Sequence, residues 1–220
     1  MPTPRPAQGV AFDLDGTLID SRLDIAAACN HVLAAAGRSP LAPEVIATLI
    51  GDGVRALVSK AFALPLDAPE LDDLETAFVT RYAAHPVERT TWMPGALEAL
   101  QALRGLPLAI LTNKARRVTL AVLDALGVSA HFAFVYAGGD GPLKPHPEAV
   151  LAVARGLSVA PEALWVVGDG WQDLDSAHAA GAVAVAVLGG FTTEARLLEG
   201  RPDALLGSLV ELPALVRSAD

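Results

Sequence analysis

Asp13 and Asp15 stand two residues apart in the run Asp13-Leu14-Asp15-Gly16-Thr17-Leu18, directly after the short apolar stretch Gly9-Val10-Ala11-Phe12. Three further polar groups recur along the chain: Thr112-Asn113-Lys114, Lys144-Pro145-His146-Pro147, and Gly168-Asp169-Gly170-Trp171-Gln172-Asp173. Acids, a hydroxyl and a lysine in this combination suit phosphoryl transfer. An oxygen nucleophile approaching an anionic phosphoryl group is repelled unless a lysine and a divalent cation offset the charge. Carboxylates with few other ligands favour the hard, octahedral Mg²⁺ ion. Asp13 can act as covalent nucleophile toward phosphorus. Asp15, across a turn from it, can reach a leaving oxygen as general acid. The Thr112 hydroxyl and the backbone N–H groups around Asp15-Gly16 and Asn113 can hold phosphoryl oxygens.

These groups must be gathered by the fold, and the pattern of apolar runs says how. Leu108 to Leu111, Phe132 to Tyr136, Leu164 to Val167 and Val183 to Leu188 are brief, nearly continuous apolar runs, each followed by a polar or glycine-containing turn. Strands buried on both faces of a parallel sheet have this character. Helical patterns lie between them at Gly95 to Leu103, Ala115 to Leu126, Pro147 to Arg155 and Gln172 to Ala180. The alternation predicts an α/β fold, an open doubly wound parallel sheet in which ligands sit beyond the carboxyl ends of the strands. Every polar group named above then falls on that one edge.

Residues 21–89 break the alternation with helical periodicity alone. Ser21 and Asp24 read as a capping box and Gly37 as a stop, framing an apolar face of Ile25, Cys29, Val32, Leu33 and Ala36. The expectation is an α/β core of residues 1–20 and 90–220, with 21–89 inserted as a helical cap. Lys60 and Lys114 read as solvated helix residues, Cys29 as core, and Trp171 as packing ahead of lining the cleft or the cap interface. Asp173 reads equally as support for a metal or as an acid in a first helical turn. The histidines show no metal-ligand spacing.

Of the 220 residues, 52% are hydrophobic and 19% charged, a globular composition. A net charge of -9 argues against nucleic-acid or anionic-membrane partners and leaves a small phosphorylated metabolite as the expected one. The single cysteine, the lack of an apolar leader and the glycine-broken apolar stretch Ala179 to Phe191 predict a cytoplasmic monomer or homodimer.

The first motif, Thr112-Asn113, Lys144-Pro145, and Gly168-Asp169 with Asp173 resemble, in order, the four signature motifs of the haloacid dehalogenase superfamily. The resemblance implies Asp13 as nucleophile and metal ligand. It implies Asp15 as general acid and then base, lending its backbone carbonyl to Mg²⁺. Thr112 would bind the phosphoryl group, Lys144 would neutralise it, Asp169 would complete the metal ligands and Asp173 would support them. Asp15 sets the chain apart from the dehalogenase and phosphonate-cleaving branches. Asp24-Ile25-Ala26-Ala27-Ala28, Gly51-Asp52-Gly53, Met93-Pro94-Gly95 and Gly138-Gly139-Asp140 resemble the phosphoglycolate phosphatase group. That makes Arg55, beside the cap turn, a candidate for a substrate carboxylate. Asp52 departs from the asparagine usual there, and the loop from Asp140 to Lys144 is short. A phosphomutase of the β-phosphoglucomutase type, a pyrophosphatase and a catalytically silent phosphate-binding protein stay open. A receiver domain would need neither the inserted helices nor Asp15, and no Gly-x-Gly-x-x-Gly follows the first strand to favour dinucleotide binding.

Overall fold

The computed structural model describes residues 5–218. Six parallel strands form one sheet, in the spatial order β5 (Phe134–Gly138), β4 (Leu108–Ala115), β1 (Gly9–Phe12), β6 (Leu164–Gly168), β7 (Val183–Val187) and β8 (Ala204–Leu206). Because side chains alternate across a strand, each strand feeds two cores. Val10, Phe12, Leu108, Ile110, Trp165 and Val167 face one side, under α5 (Ala96–Ala102), α6 (Arg116–Ala125) and α10 (Leu212–Ser218). Ala11, Ala109, Val166, Ala184 and Ala186 face the other, under α7 (Pro147–Leu157), α8 (Trp171–Ala180) and α9 (Glu194–Glu199). The alanine-rich face brings α7 and α8 close to the sheet. The fold is thus α/β and doubly wound, and strand order reverses on either side of β1, which opens a crevice at its carboxyl end.

Two short strands, β2 (Ile19–Asp20) and β3 (Thr91–Trp92), pair antiparallel above the sheet. Between them run α1 (Arg22–Ala35), α2 (Pro43–Ala47), α3 (Gly53–Phe62) and α4 (Glu70–Ala84). Ile25, Cys29, Val32 and Leu33 form the buried face of α1, and Gly37 ends that helical segment at φ 69°. Burial pushes the Cys29 thiol up to about 11, leaving it an inert core residue. Among the described residues, no helix is long and apolar enough to cross a membrane.

The capping box expected at Ser21 and Asp24 does not form. Ser21 precedes α1, but its hydroxyl donates to Asp15 Oδ1 at 2.5 Å. Asp24, only 3% exposed, accepts from the backbone N–H of Arg89 and Thr90 at 2.9–3.0 Å and from the Thr90 hydroxyl at 2.6 Å. Several donors at long range outcompete the one local N–H a cap would offer. Both side chains therefore tie the two strands of the β2–β3 connection to each other and to the first loop.

Replacing Asp24 by alanine strands three donors in a buried place. Asp24→Ala is expected to cost about 2–4 kcal/mol in urea-denaturation stability. A loss below about 1 kcal/mol would show that the connection does not depend on this carboxylate.

Candidate active site

The carboxyl end of β1 delivers Asp13, whose N–H donates to Val167 O of the neighbouring β6 at 2.9 Å. Lys144 arrives from the loop before α7 and is 5% exposed. Its ammonium places its three donors on Asp13 Oδ1 at 2.7 Å, Asp173 Oδ1 at 2.6 Å and Leu111 O at 2.8 Å. Burial alone would push this lysine toward neutrality, but the Asp13 and Asp173 carboxylates hold its pKa above the ordinary lysine value.

Asp169 follows β6. Its Oδ1 accepts from the Thr17 hydroxyl at 2.8 Å, its Oδ2 accepts from Phe191 N–H at 2.7 Å, and its own N–H donates to Thr17 Oγ1 at 3.0 Å. Two glycines make the room: a Cβ on Gly16 or on Gly190 would come within 2.4 or 2.3 Å of Asp169 Oδ2. Gly16 also holds φ at 90°, where a side chain is strained. Asp173 fills both roles read for it: Oδ2 accepts Gly170 N–H at 3.0 Å at the start of α8, and Oδ1 meets Lys144.

One oxygen from each of Asp13, Asp169 and Asp173 lies within 4.8 Å of the others. Burial, and then the charges of Asp13 and Asp173, push the Asp169 carboxyl up to about 7. Burial also raises Asp173 to about 6, against the opposing pull of Lys144. Three carboxylates against one ammonium leave an excess of negative charge in a buried place. A hard divalent cation fits both that excess and the all-oxygen donor set.

A second ion pair lies beside the first. β4 does not stop at Leu111 but runs through Ala115, so Thr112, Asn113 and Lys114 are strand residues. Lys114 is therefore no solvated helix residue: it is 9% exposed, and its Nζ lies 2.7 Å from both carboxylate oxygens of Asp15. It also sits 4.5 Å from the ring centroid of Tyr82, which descends from α4. Burial opposes its charge, yet Asp15 holds the Lys114 pKa above the ordinary value. Burial pushes the Tyr82 phenol up to about 12, so it is a neutral wall group. Thr112 lines the same space, its hydroxyl accepting from Lys114 N–H at 3.2 Å.

Asn113 is turned to architecture. Its amide donates to Gly51 O at 2.8 Å and Lys144 O at 2.9 Å, while Oδ1 accepts from Lys144 N–H at 2.9 Å. Its backbone N–H is what it can offer a ligand. The Gly51-Asp52-Gly53 turn is thereby docked on the core, and Asp52 adds a second link by accepting from Gln172 Nε2 at 2.9 Å. Exposed Lys60, 2.8 Å away, compensates the Asp52 charge. Arg55 does not face the site. Val54 and Leu57 take the inner face of α3, and Arg55 on the flank bonds Leu66 O and Asp72, both at 2.8 Å.

The cavity measures about 390 Å³, opens to solvent, and holds Asp13, Asp15, Thr112, Lys114, Lys144 and Asp169 on its core side. Ile25, Ile50, Val54, Leu57, Phe78 and Tyr82 form the opposite wall. Trp171 takes the cleft-lining one of its two readings: it is half-buried on the lining, with the Arg196 guanidinium 5.6 Å from its ring centroid. No histidine lines the cavity.

The raised carboxyls fix a sign for pH dependence. A folded chain that holds protons on Asp169 and Asp173 where an unfolded chain would release them is more stable at low pH and loses that gain as pH rises through about 6 to 7. After chelation, the melting temperature is expected to rise as pH is lowered from about 8 to about 6, and added Mg²⁺ to raise it more at the higher pH. A Mg²⁺ effect that grows on acidification would contradict a carboxylate metal centre.

Comparison with known proteins agrees with this geometry. A family model described as haloacid dehalogenase-like hydrolase matches residues 7–181. The chain is similar to phosphoglycolate phosphatase of Chromobacterium violaceum, 36% identical over 218 residues, covering 96% of this chain and 97% of that protein. Among solved structures, a predicted phosphoglycolate phosphatase from Haemophilus somnus matches with TM-score 0.85 and 26% identity, over 95% of this chain and 97% of that one. CbbY from Rhodobacter sphaeroides, solved in complex with phosphate, matches with TM-score 0.81 and 25% identity, over 94% and 96% of the two chains. With the family model spanning most of the sequence and a relative aligned along nearly its full length, the chain belongs to the haloacid dehalogenase-like hydrolase family.

Proposed function

We propose that the chain is a phosphatase acting on a small phosphomonoester through a phospho-aspartate on Asp13, with 2-phosphoglycolate as substrate. The observation that carries this reading is a buried aspartate, paired through one oxygen to a buried lysine, on the floor of a cavity beside a second carboxylate. Lys144 fixes Asp13 through Oδ1, which leaves Oδ2 as the attacking oxygen. Its bond to phosphorus forms as the bond to the leaving oxygen breaks, and Asp15 delivers a proton to that oxygen. Asp15 then takes a proton from the water that attacks the phosphoryl group, and Asp13 is regenerated. The Thr112 hydroxyl and the N–H groups at Gly16 and Asn113 orient the phosphoryl oxygens. Asp13, Asp169 and the Asp15 carbonyl, with Asp173 alongside, would hold a Mg²⁺ that supplies charge neutralisation at the phosphoryl group.

The substrate rests on kinship: the Chromobacterium violaceum relative, and that of Agrobacterium fabrum at 33% identity, are phosphoglycolate phosphatases. A cavity of about 390 Å³ suits a metabolite of that size. Phosphate release should depend on added Mg²⁺, and 2-phosphoglycolate should exceed sugar phosphates, nucleotides and pyrophosphate in kcat/KM. Asp13→Asn should reduce turnover by roughly 10³-fold or more and abolish the acid-trapped phosphoenzyme while the fold persists. Wild-type turnover in that variant would sink the covalent mechanism. Pyrophosphate as preferred substrate, or phosphoryl transfer to a sugar rather than water, would replace the substrate reading and keep the intermediate.

A further inference from the structure

The cap side of the cavity is largely apolar, and neither nearby cap arginine lines it: Arg55 is occupied on the flank of α3 by Leu66 O, Asp72 and Glu75, and Arg22, over the Phe191 ring, is paired to Asp20. A substrate with a second anionic group must therefore find its cation on the core. Three cations line the cavity: Lys144, Lys114 and Arg196. Lys144 has no donor to spare, its three hydrogen-bond contacts being Asp13, Asp173 and Leu111 O. Arg196 is half-exposed, lies over Trp171 and is ion-paired to Glu199 at 2.6 Å. Lys114 is buried, and both of its hydrogen bonds go to a single carboxylate, Asp15.

We propose that Lys114 is the specificity-determining residue that receives the substrate's second anionic group, a carboxylate, in exchange for Asp15. The proposal rests on the phosphatase reading above and deepens it. A carboxylate is what Lys114 already binds, through both oxygens at 2.7 Å, so a substrate carboxylate reproduces the contact in kind. The Tyr82 ring, 4.5 Å away, holds the ammonium at the boundary between cap and core. Asp15 keeps its second partner, the Ser21 hydroxyl at 2.5 Å, while its carboxyl is released toward the leaving oxygen. A phosphomonoester without a carboxylate leaves Lys114 on Asp15, where the ion pair competes with proton delivery. Recognition of one end of the substrate is thereby coupled to chemistry at the other.

The test compares 2-phosphoglycolate with ethyl phosphate, the same ester with a methyl in place of the carboxylate. Wild-type enzyme should favour 2-phosphoglycolate in kcat/KM. Lys114→Met should shrink that preference by ~10- to 100-fold, the range expected for one charge-assisted hydrogen-bonded contact. Lys114→Arg should retain much of it. Should the methionine variant not fold, Lys114→Gln serves the same comparison. Equal losses on both esters would overturn the proposal and make Lys114 a positioning residue for Asp15. A wild-type enzyme active on ethyl phosphate without preference for 2-phosphoglycolate would instead overturn the substrate reading, and this role with it.

Discussion

Burying an ammonium costs several kcal/mol even after the protein relaxes. Lys144 is buried, and the site is organised around compensating it. Two carboxylates and a carbonyl surround its nitrogen, and each comes from a different part of the chain: Asp13 after β1, Asp173 in α8 and Leu111 within β4. The compensation overshoots, because Asp169 brings a third carboxylate into the group. A cluster that keeps one cation and invites a second is a poor device for stability and a good one for binding a metal and an anion together. Burial first, and the crowding of like charges second, raise the carboxyls of Asp169 and Asp173.

The Lys114–Asp15 pair differs in kind. Asp15 is bonded from the core by Lys114 and from the start of the cap by Ser21. Close by, Asp24 of α1 closes the β2–β3 connection on Arg89 and Thr90. The residue given proton transfer thus sits where the helical insertion leaves and re-enters the sheet domain. A few side chains connect Asp15 to the point where the inserted helices join the sheet domain.

Much of this was legible in the sequence because the strands are short and apolar and their ends polar. The doubly wound sheet, the inserted helices and the polar groups at one edge follow from that pattern alone. Its errors share a cause. Lys114 was placed at the start of a helix because the polar Thr112-Asn113 looked like the end of β4, whereas the strand continues through them and turns Lys114 inward. Ser21 and Asp24 had the spacing of a local cap, and tertiary partners took them instead. Arg55 had the right charge beside the right turn, but one helical step separates the inner face from the flank. Gly190-Phe191, which packs against Asp169, lies outside the four motifs and has no chemical side chain to mark it. β2, β3 and β8, at two or three residues each, are too short for periodicity to register.

Polar links between the cap turn and the core are few. Asn113 bonds Gly51 O, and Gln172 bonds Asp52, while the cavity's cap wall is apolar. Hydrogen bonds of this kind contribute about 0.5–1.5 kcal/mol each, or more when one partner is charged. Two links of that size join the turn to the core with a modest contribution in free energy. The lysines and acids sit on the sheet edge, so the Asp13–Lys144 pair is held by core residues alone. What the inserted helices supply is an apolar wall, which lowers the local dielectric and strengthens the interactions of the charges on the sheet edge relative to water. The acids and lysines of the site are therefore carried by the sheet domain, and the strength of their interactions is set by the helices packed over them.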